Sequence, residues 1–261
     1  LSLGHSAFFG IGAYTSGLLF VKCGIPPILG IFAGVGTASL LAAVIGIPCF
    51  RLKGPFFSLA TIAIAEVLQL LAVYFKKITE GSEGLSIPFK PSFYNLIFES
   101  RNHYALVGFF FMLLVLGVSY WIQNSKLGYQ LAALRDEDQA AETLGVNTLR
   151  AKMTAFWISG ALTAVGATLF SQYILFLEPH SEFSINVSVN LALISMIGGL
   201  GTCIGPVIGS FLLIPLQEFL RMWIGGKYQG LHFVIYGGLL IAVVMFMPKG
   251  IIAFFSKKYE S

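Results

Sequence analysis

The chain has 261 residues, 56% of them apolar and only 11% charged, with a net charge of +4 and a mean hydropathy of +0.83. About a quarter of the residues in a soluble domain are charged, so a water-soluble globule is excluded by shortage of polar surface. The positive charge is dispersed rather than gathered in a patch, which argues against nucleic acid as a partner.

Stretches free of Asp, Glu, Lys and Arg run from Leu1 to Val21, Gly24 to Phe50, Tyr104 to Ser125, Met153 to Leu177, Phe183 to Gln217 and Tyr228 to Met247. A helix of about 20 apolar residues crosses the ~30 Å hydrocarbon layer. Without water there to satisfy backbone amides, helix is the expected state. The reading is an all-α, polytopic transmembrane bundle in one domain over 1–261, with eight segments: 7–21, 28–49, 55–75, 104–122, 153–174, 183–199, 204–221 and 231–248. The first residue is Leu and no basic stretch precedes the first apolar run, so the chain is expected to begin inside a longer protein.

Pro26, Pro27, Pro55 and Pro248 fall at segment ends, where a missing amide costs least, whereas Pro206 and Pro215 should kink the seventh segment or delay its start. The sixth segment is short and ends in Gly198-Gly199-Leu200-Gly201, which leaves a re-entrant hairpin open as an alternative to a span. Basic residues in short loops set orientation. With both ends in the cytoplasm, the inner side holds nine (Arg51, Lys53, Lys126, Arg135, Arg150, Lys152, Lys249, Lys257, Lys258) and the outer side seven (Lys22, Lys76, Lys77, Lys90, Arg101, Arg221, Lys227).

Two long loops differ in kind. Residues 76–103 are polar and rich in Gly and Pro, as a surface excursion would be. Residues 126–152 hold eight of the chain's 28 charges and still carry helix signals. Asp136 is placed to cap a short helix, Gln139 to reach back to it and Gly145 to close it. Ala140, Ala141 and Leu144 share one face; Asp138, Gln139, Glu142 and Thr143 share the other. So short a helix is unstable alone and requires something to dock on.

No nucleophile, metal-ligand or acid–base pattern stands out, and there is no phosphate-binding loop. Cys23, Cys49 and Cys203 are widely spaced and suit packing rather than a disulfide or metal site. Glu66 is the one charge deep in a segment; a mid-bilayer carboxylate costs ~2.5 kcal/mol or more and must face the bundle or a wet cavity. Structural anchor and pathway residue both remain open for it, and Gln69, three residues on, shares either role. Asn186 and Asn190, one turn apart, suit interhelical hydrogen bonds or path lining equally. Gly201, Gly205 and Gly209, spaced by four, are expected along one helix face with Gly198 and Gly199 just before them, as a packing seam or a hinge. Glu218 and Arg221 are spaced for an interfacial ion pair.

Several stretches together resemble the LivM-type permease subunit of branched-chain amino-acid ABC importers. They are Leu1-Ser2-Leu3-Gly4-His5 with Phe8-Phe9-Gly10-Ile11-Gly12-Ala13-Tyr14; Gly54-Pro55-Phe56-Phe57-Ser58-Leu59-Ala60-Thr61 with Ala65-Glu66; Leu127-Gly128 through Asp136-Glu137-Asp138 to Ala141-Glu142-Thr143-Leu144-Gly145-Val146; and Gly198 to Thr202 with Gly205-Pro206. The chain departs from the family's Thr-Gly-Gly loop, reading Thr79-Glu80-Gly81 instead. The resemblance implies a multi-pass permease of a bacterial or archaeal cytoplasmic membrane, itself no enzyme and holding no cofactor. Its implied partners are a second permease, two ATPase subunits that bind ATP and Mg, and a periplasmic or lipid-anchored binding protein. The loop helix bearing Asp136, Ala140, Ala141, Glu142, Leu144 and Gly145 would then couple the permease to the ATPase. Rivals are an ATP-independent transporter or channel in which Glu66 carries an ion, an importer of urea or amides, and, least supported, a membrane-embedded enzyme.

Overall fold

A computed structural model describes residues 2–52, 54–136, 138–143, 145–224 and 237–238. The segment expected at 231–248, with Pro248, therefore lies almost wholly outside the described residues, as do Glu137 and Leu144. The chain divides into two compact units, residues 1–188 and 189–261.

In the first unit, α1 (His5–Cys23), α2 (Pro27–Cys49) and α3 (Pro55–Tyr74) follow the first three expected segments closely. Pro27 and Pro55 open their helices at the first turn, where no intrahelical amide is needed. A one-turn helix α4 (Lys76–Thr79) and the strand β1 (Leu85–Ser86) lead to α5 (Arg101–Gln123), whose start is capped by Ser100 accepting from the Asn102 amide. Next come α6 (Lys126–Asp136), α7 (Asp138–Thr143) and α8 (Thr148–Ile174), the last capped by Asn147 Oδ1 accepting from the Arg150 amide at 2.9 Å. The strand β2 (Phe176–Leu177) and the turn α9 (Pro179–Glu182) precede α10 (Ile185–Gly199).

The core of this unit is α1, α2 and α8, brought together by residues without bulk. A side chain at Gly12 would overlap the Ala164 backbone; one at Gly30 would press on Ser16, and one at Gly34 on Gly12. Lipid tails are as apolar as leucine, so close backbone approach, not hydrophobic exclusion, drives such packing. Ala13, Ala38, Ala42 and Ala167 are completely buried along the same seams. Phe8, Phe50, Phe57 and Phe156 form an aromatic layer at one end, with centroids 4.9 Å (Phe8–Phe156), 5.4 Å (Phe50–Phe156) and 5.1 Å (Phe50–Phe57) apart. Hydrogen bonds from the Ser6 amide to Ser188 Oγ (2.9 Å) and between the two hydroxyls (3.0 Å) tie the first turn of α10 to α1.

The other end is closed by the 76–103 segment, which is more than a surface excursion. β1 pairs antiparallel with β2, Leu85 opposite Leu177 and Ser86 opposite Phe176, and Leu85, Ile87, Ile97 and Leu177 are buried against Tyr14, Phe20 and Phe183. The apolar residues of the loop are thus a lid on the three-helix core.

The second unit contains most of α10 and α11 (Gly205–Ile224). Ile197 and Leu213 are buried between them. Pro206 sits in the first turn of α11, so the helix begins late there, and Pro215 lies inside it. The expected stripe of Gly201, Gly205 and Gly209 is corrected: Gly201 lies in the connecting turn with φ +83, as does Gly199 at the end of α10 with φ +130. Only Gly205 and Gly209 lie on α11. They and Gly198 meet the facing backbone, Gly198 opposite Gly205 and Gly209 opposite the Ile194 carbonyl. The seam therefore joins α10 to α11 within one hairpin. Glu218 and Arg221 form the anticipated ion pair at 3.7 Å.

Among the described residues six stretches are long and apolar enough to cross a membrane: α1, α2, α3, α5, α8 and the Pro179–Gly199 run. The all-α polytopic architecture stands, but the count of eight does not follow. α11 carries Gln217, Glu218 and Arg221 and is not among the six. α10 alone, with 15 residues, spans about 22 Å, short of the hydrocarbon thickness.

Candidate functional site

α3 packs through a narrow face. Thr61, Ala65 and Ala72 are buried, while Phe56, Leu59, Val67, Leu70 and Tyr74 are exposed. Glu66 lies on the open side near the helix midpoint, and no side-chain partner for it occurs among the described residues. None of those residues, then, makes it the interhelical anchor that one reading of the sequence allowed. Gln69, half-buried, places Nε2 at 2.6 Å from Nδ1 of His180 on α9.

Ser58 extends the pair in a way that sequence reasoning passed over. Ser58, Glu66 and Gln69 stand at i, i+8 and i+11, which sets them along one flank of α3. Ile62, at i+4, interrupts that flank with an apolar side chain, and the interruption masked the pattern. From Ser58 to Gln69 the flank covers about 16 Å of helix, roughly half of the hydrocarbon layer. It ends beside α9, where Glu178 accepts from Ser181 at 3.1 Å.

Sequence reasoning also missed Glu182 and Gln172. Glu182 is only 4% exposed and Gln172 is wholly buried; among the described residues neither Glu182 Oε2 nor either amide atom of Gln172 has a hydrogen-bond partner. Phe183, next in the chain, stacks on Tyr14 with centroids 5.9 Å apart. Glu182 borders the charge-free run beginning at Phe183, so a boundary position disguised its burial. On α10, Asn186 is exposed and Asn190 half-buried, and among the described residues no side-chain hydrogen bond joins Asn186 to Glu66 or Gln69.

A cavity of about 550 Å³ lies elsewhere, between α5 and α8. Phe9, Tyr104, Gly108, Phe111, Gly166 and Phe170 line it, with Arg101 at its edge. It contains none of the residues picked out as a path.

The charged loop contains two helices rather than one. Asp136 is the last residue of α6, which corrects its expected role as the cap that starts the short helix. Gly145 closes α7 as expected. With φ +83 its amide donates to the Glu142 carbonyl at 2.9 Å, and the Val146 amide donates to the Ala141 carbonyl at 3.1 Å. This pair of bonds is the Schellman motif, which requires a left-handed residue at the Gly145 position. Glu142 is exposed and accepts from Thr148 Oγ1 at 2.8 Å, bracing α7 to the start of α8. Ala141 is only 2% exposed, so it packs within the chain and is not free for the outward contact face expected of it. Ala140 belongs to α7, and Leu144 falls outside the described residues.

Apolar spans of membrane length packed on small residues define a multi-pass membrane protein. The chain belongs to the family described as the permease component of the branched-chain amino acid transport system, whose model matches residues 1–246. It is 29% identical, over 97% of its length, to the high-affinity branched-chain amino acid transport system permease protein LivM of Escherichia coli strain K12, covering 63% of that protein. It is 26% identical, over 67% of its length, to the LivH permease protein of the same-named system in Salmonella typhimurium, covering 58% of that protein. The autoinducer 2 import system permease protein LsrC of Yersinia pseudotuberculosis is 28% identical over 76% of this chain, which covers 59% of that relative. The chain thus spans roughly three fifths of these relatives' length. No solved structure matches it.

Proposed function

We propose that this chain is a permease subunit of an ATP-driven importer, and that branched-chain amino acids are its first candidate substrates. The observation that carries the proposal is α7: a six-residue helix, closed by Gly145 and braced through Glu142, in the charged loop between two apolar spans. A helix so short is held by what it docks on, and its exposed Glu142 side is available to a partner. That partner is a cytoplasmic ATPase, which binds ATP and Mg and hydrolyses the nucleotide. Its movement, transmitted through α7, shifts the bundle between inward-open and outward-open states.

LivM and LivH carry the name of one transport system. By analogy this chain works beside a second, homologous permease, two ATPase subunits and an external binding protein, in the cytoplasmic membrane of a bacterium or archaeon. Glu66, Gln69, Asn186 and Asn190 are its candidate path residues. The α10–α11 seam at Gly198, Gly199, Gly205 and Gly209 supplies packing and a place to hinge. Urea, amides and the autoinducer 2 of the LsrC system are rival substrates.

The test is purification from native membranes with bound partners, followed by uptake of labelled leucine, valine, urea and autoinducer 2 into vesicles with and without ATP. Leucine or valine uptake that stops without ATP supports the proposal. Uptake sustained by the membrane potential alone would replace it with an ATP-independent transporter. Glu142→Lys is expected to lose the ATPase while the chain still inserts; normal ATPase stoichiometry in that variant removes α7 from the coupling role.

A further inference from the structure

We infer that the apolar cavity between α5 and α8 is a binding site for an acyl chain of an anionic phospholipid, whose phosphate is held at Arg101. The site is separate from the path residues and holds whichever solute the chain carries. Along α5 the cavity extends from Arg101 to Phe111, which lies midway along the helix. Ten residues of helix rise about 15 Å, half of the hydrocarbon layer and so the depth of one leaflet. The mouth is thus at the start of the span, beside Phe98 of the lid, and the floor is near mid-bilayer. Rings hold the walls in place. The Tyr104 hydroxyl accepts from the Phe98 amide at 3.0 Å and donates to the Gln172 carbonyl at 3.4 Å, which ties lid, α5 and α8 together at the mouth. Tyr104 meets Tyr173 edge-on with centroids 5.2 Å apart, and Phe9 meets Phe170 in the same manner at 5.7 Å. Space comes from the absence of side chains: among the described residues a Cβ at Gly108 meets nothing within 4 Å, and one at Gly166 meets only the Phe111 ring.

Size and chemistry select the occupant. The volume of about 550 Å³ falls within the roughly 300–1,000 Å³ of small-molecule sites. Ten residues of helix, about 10 Å across and 15 Å long, would fill about 1,200 Å³, so a helix does not fit inside. A polar solute is poorly served, because the lining is mostly apolar and the Tyr104 hydroxyl is already engaged on both sides. An apolar void leaves its lining without dispersion contacts. α5 has no buried residue of its own, so a hydrocarbon chain lodged here supplies the packing that α5 lacks. The mouth specifies the headgroup. Arg101 is exposed at the cavity's edge and among the described residues makes no ion pair. Glu99, the nearest acid in sequence, does not line the cavity. A guanidinium is the side chain best shaped to hold a phosphate, through two parallel hydrogen bonds. A basic residue at the membrane surface also favours lipids of net negative charge over zwitterionic ones.

The test uses the full chain, purified from native membranes in detergent. A photo-crosslinking amino acid at Ala105, inside the cavity, should still give a lipid adduct after washing has removed lipid from Phe110, which is exposed on α5 but does not line the cavity. Phosphatidylglycerol at about a hundred times its dissociation constant should raise the thermal midpoint by about 5 °C or more. Phosphatidylcholine with the same acyl chains should bind more weakly, and glycerol phosphate, which has no chains, should give no shift. Arg101→Gln should weaken phosphatidylglycerol by about fivefold and leave phosphatidylcholine unchanged. Gly108→Leu, which fills the cavity, should abolish the shift with both lipids. Adducts from Ala105 with polypeptide, of this chain or another, overturn the inference, as do equal lipid adducts at Ala105 and Phe110. A lipid shift that survives Gly108→Leu removes the chain site. A shift with glycerol phosphate alone, or equal affinity for the two lipids, removes the anionic phospholipid as the ligand.

Discussion

Glu80 holds a backbone conformation that side chains avoid, with φ +64 and ψ +5, between α4 and Gly81. The left-handed region costs a residue with a Cβ about 1–2 kcal/mol. Thr79 maintains the turn: its hydroxyl donates to the Phe75 carbonyl at 3.0 Å and accepts from the Gly81 amide at 3.3 Å. Glu80→Gly should therefore stabilise the chain by about 0.5–1 kcal/mol after the added freedom of the unfolded state. A rise in the thermal midpoint in detergent checks this; a fall would show that the Glu80 side chain contributes more than its backbone costs. Gly145 presents the opposite case. Among the described residues a Cβ there meets nothing within 4 Å, so substitution is expected to act through φ +83. Gly145→Leu should fray α7, seen as faster hydrogen exchange over 138–146, with membrane abundance unchanged. Gly145 was legible because few residues can close a helix this way. The capping role of Asp136 was misassigned because Lys126–Asp136 forms a helix of its own, which turns an apparent start signal into an end.

At the scale of elements, the membrane helices were legible because all but α3, which carries Glu66, are built on a long charge-free run, and the charges mark its limits to within a few residues. The lid was not, since Leu85, Ile87 and Ile97 are scattered among polar residues and only their burial against Leu177 and Phe20 reveals their role. The polar flank of α3 was half-legible: Glu66 and Gln69 stood out by charge and amide, while the Ser58 hydroxyl, cut off from them by Ile62, did not. The glycine seam was legible as a pattern but not as a place, because spacing by four does not show where a helix begins. Its energetics can be tested at Gly209, where an added side chain would overlap the Ile194 carbonyl. That atom is backbone and cannot swing aside. Gly209→Leu should separate α10 from α11 and cost about 3 kcal/mol or more, the upper range for overpacking. Thermal unfolding in detergent reads the loss, and a wild-type midpoint would mean that the hairpin does not pack at this point.

The glycines also divide the first unit into a core and a periphery. At Gly12 a Cβ would collide with the backbone and side chain of Ala164, whereas at Gly36 and Gly117 it meets nothing within 4 Å among the described residues. The difference follows from the architecture: α1, α2 and α8 touch through small residues, while α5 offers no buried residue at all. Gly12→Leu should thus prevent stable accumulation, since the three-helix core cannot close around it. Gly117→Leu should leave stability within about 0.5 kcal/mol or raise it slightly, because leucine favours helix over glycine. Size-exclusion profiles of both variants after heating in detergent separate the two outcomes. If Gly117→Leu instead leaves the isolated chain stable but lowers its recovery with partner subunits, the open side of α5 is an assembly surface as well. If Gly12→Leu accumulates and runs as the wild type does, then α1 and α8 are not held by close backbone approach, and the three-helix core is wrong.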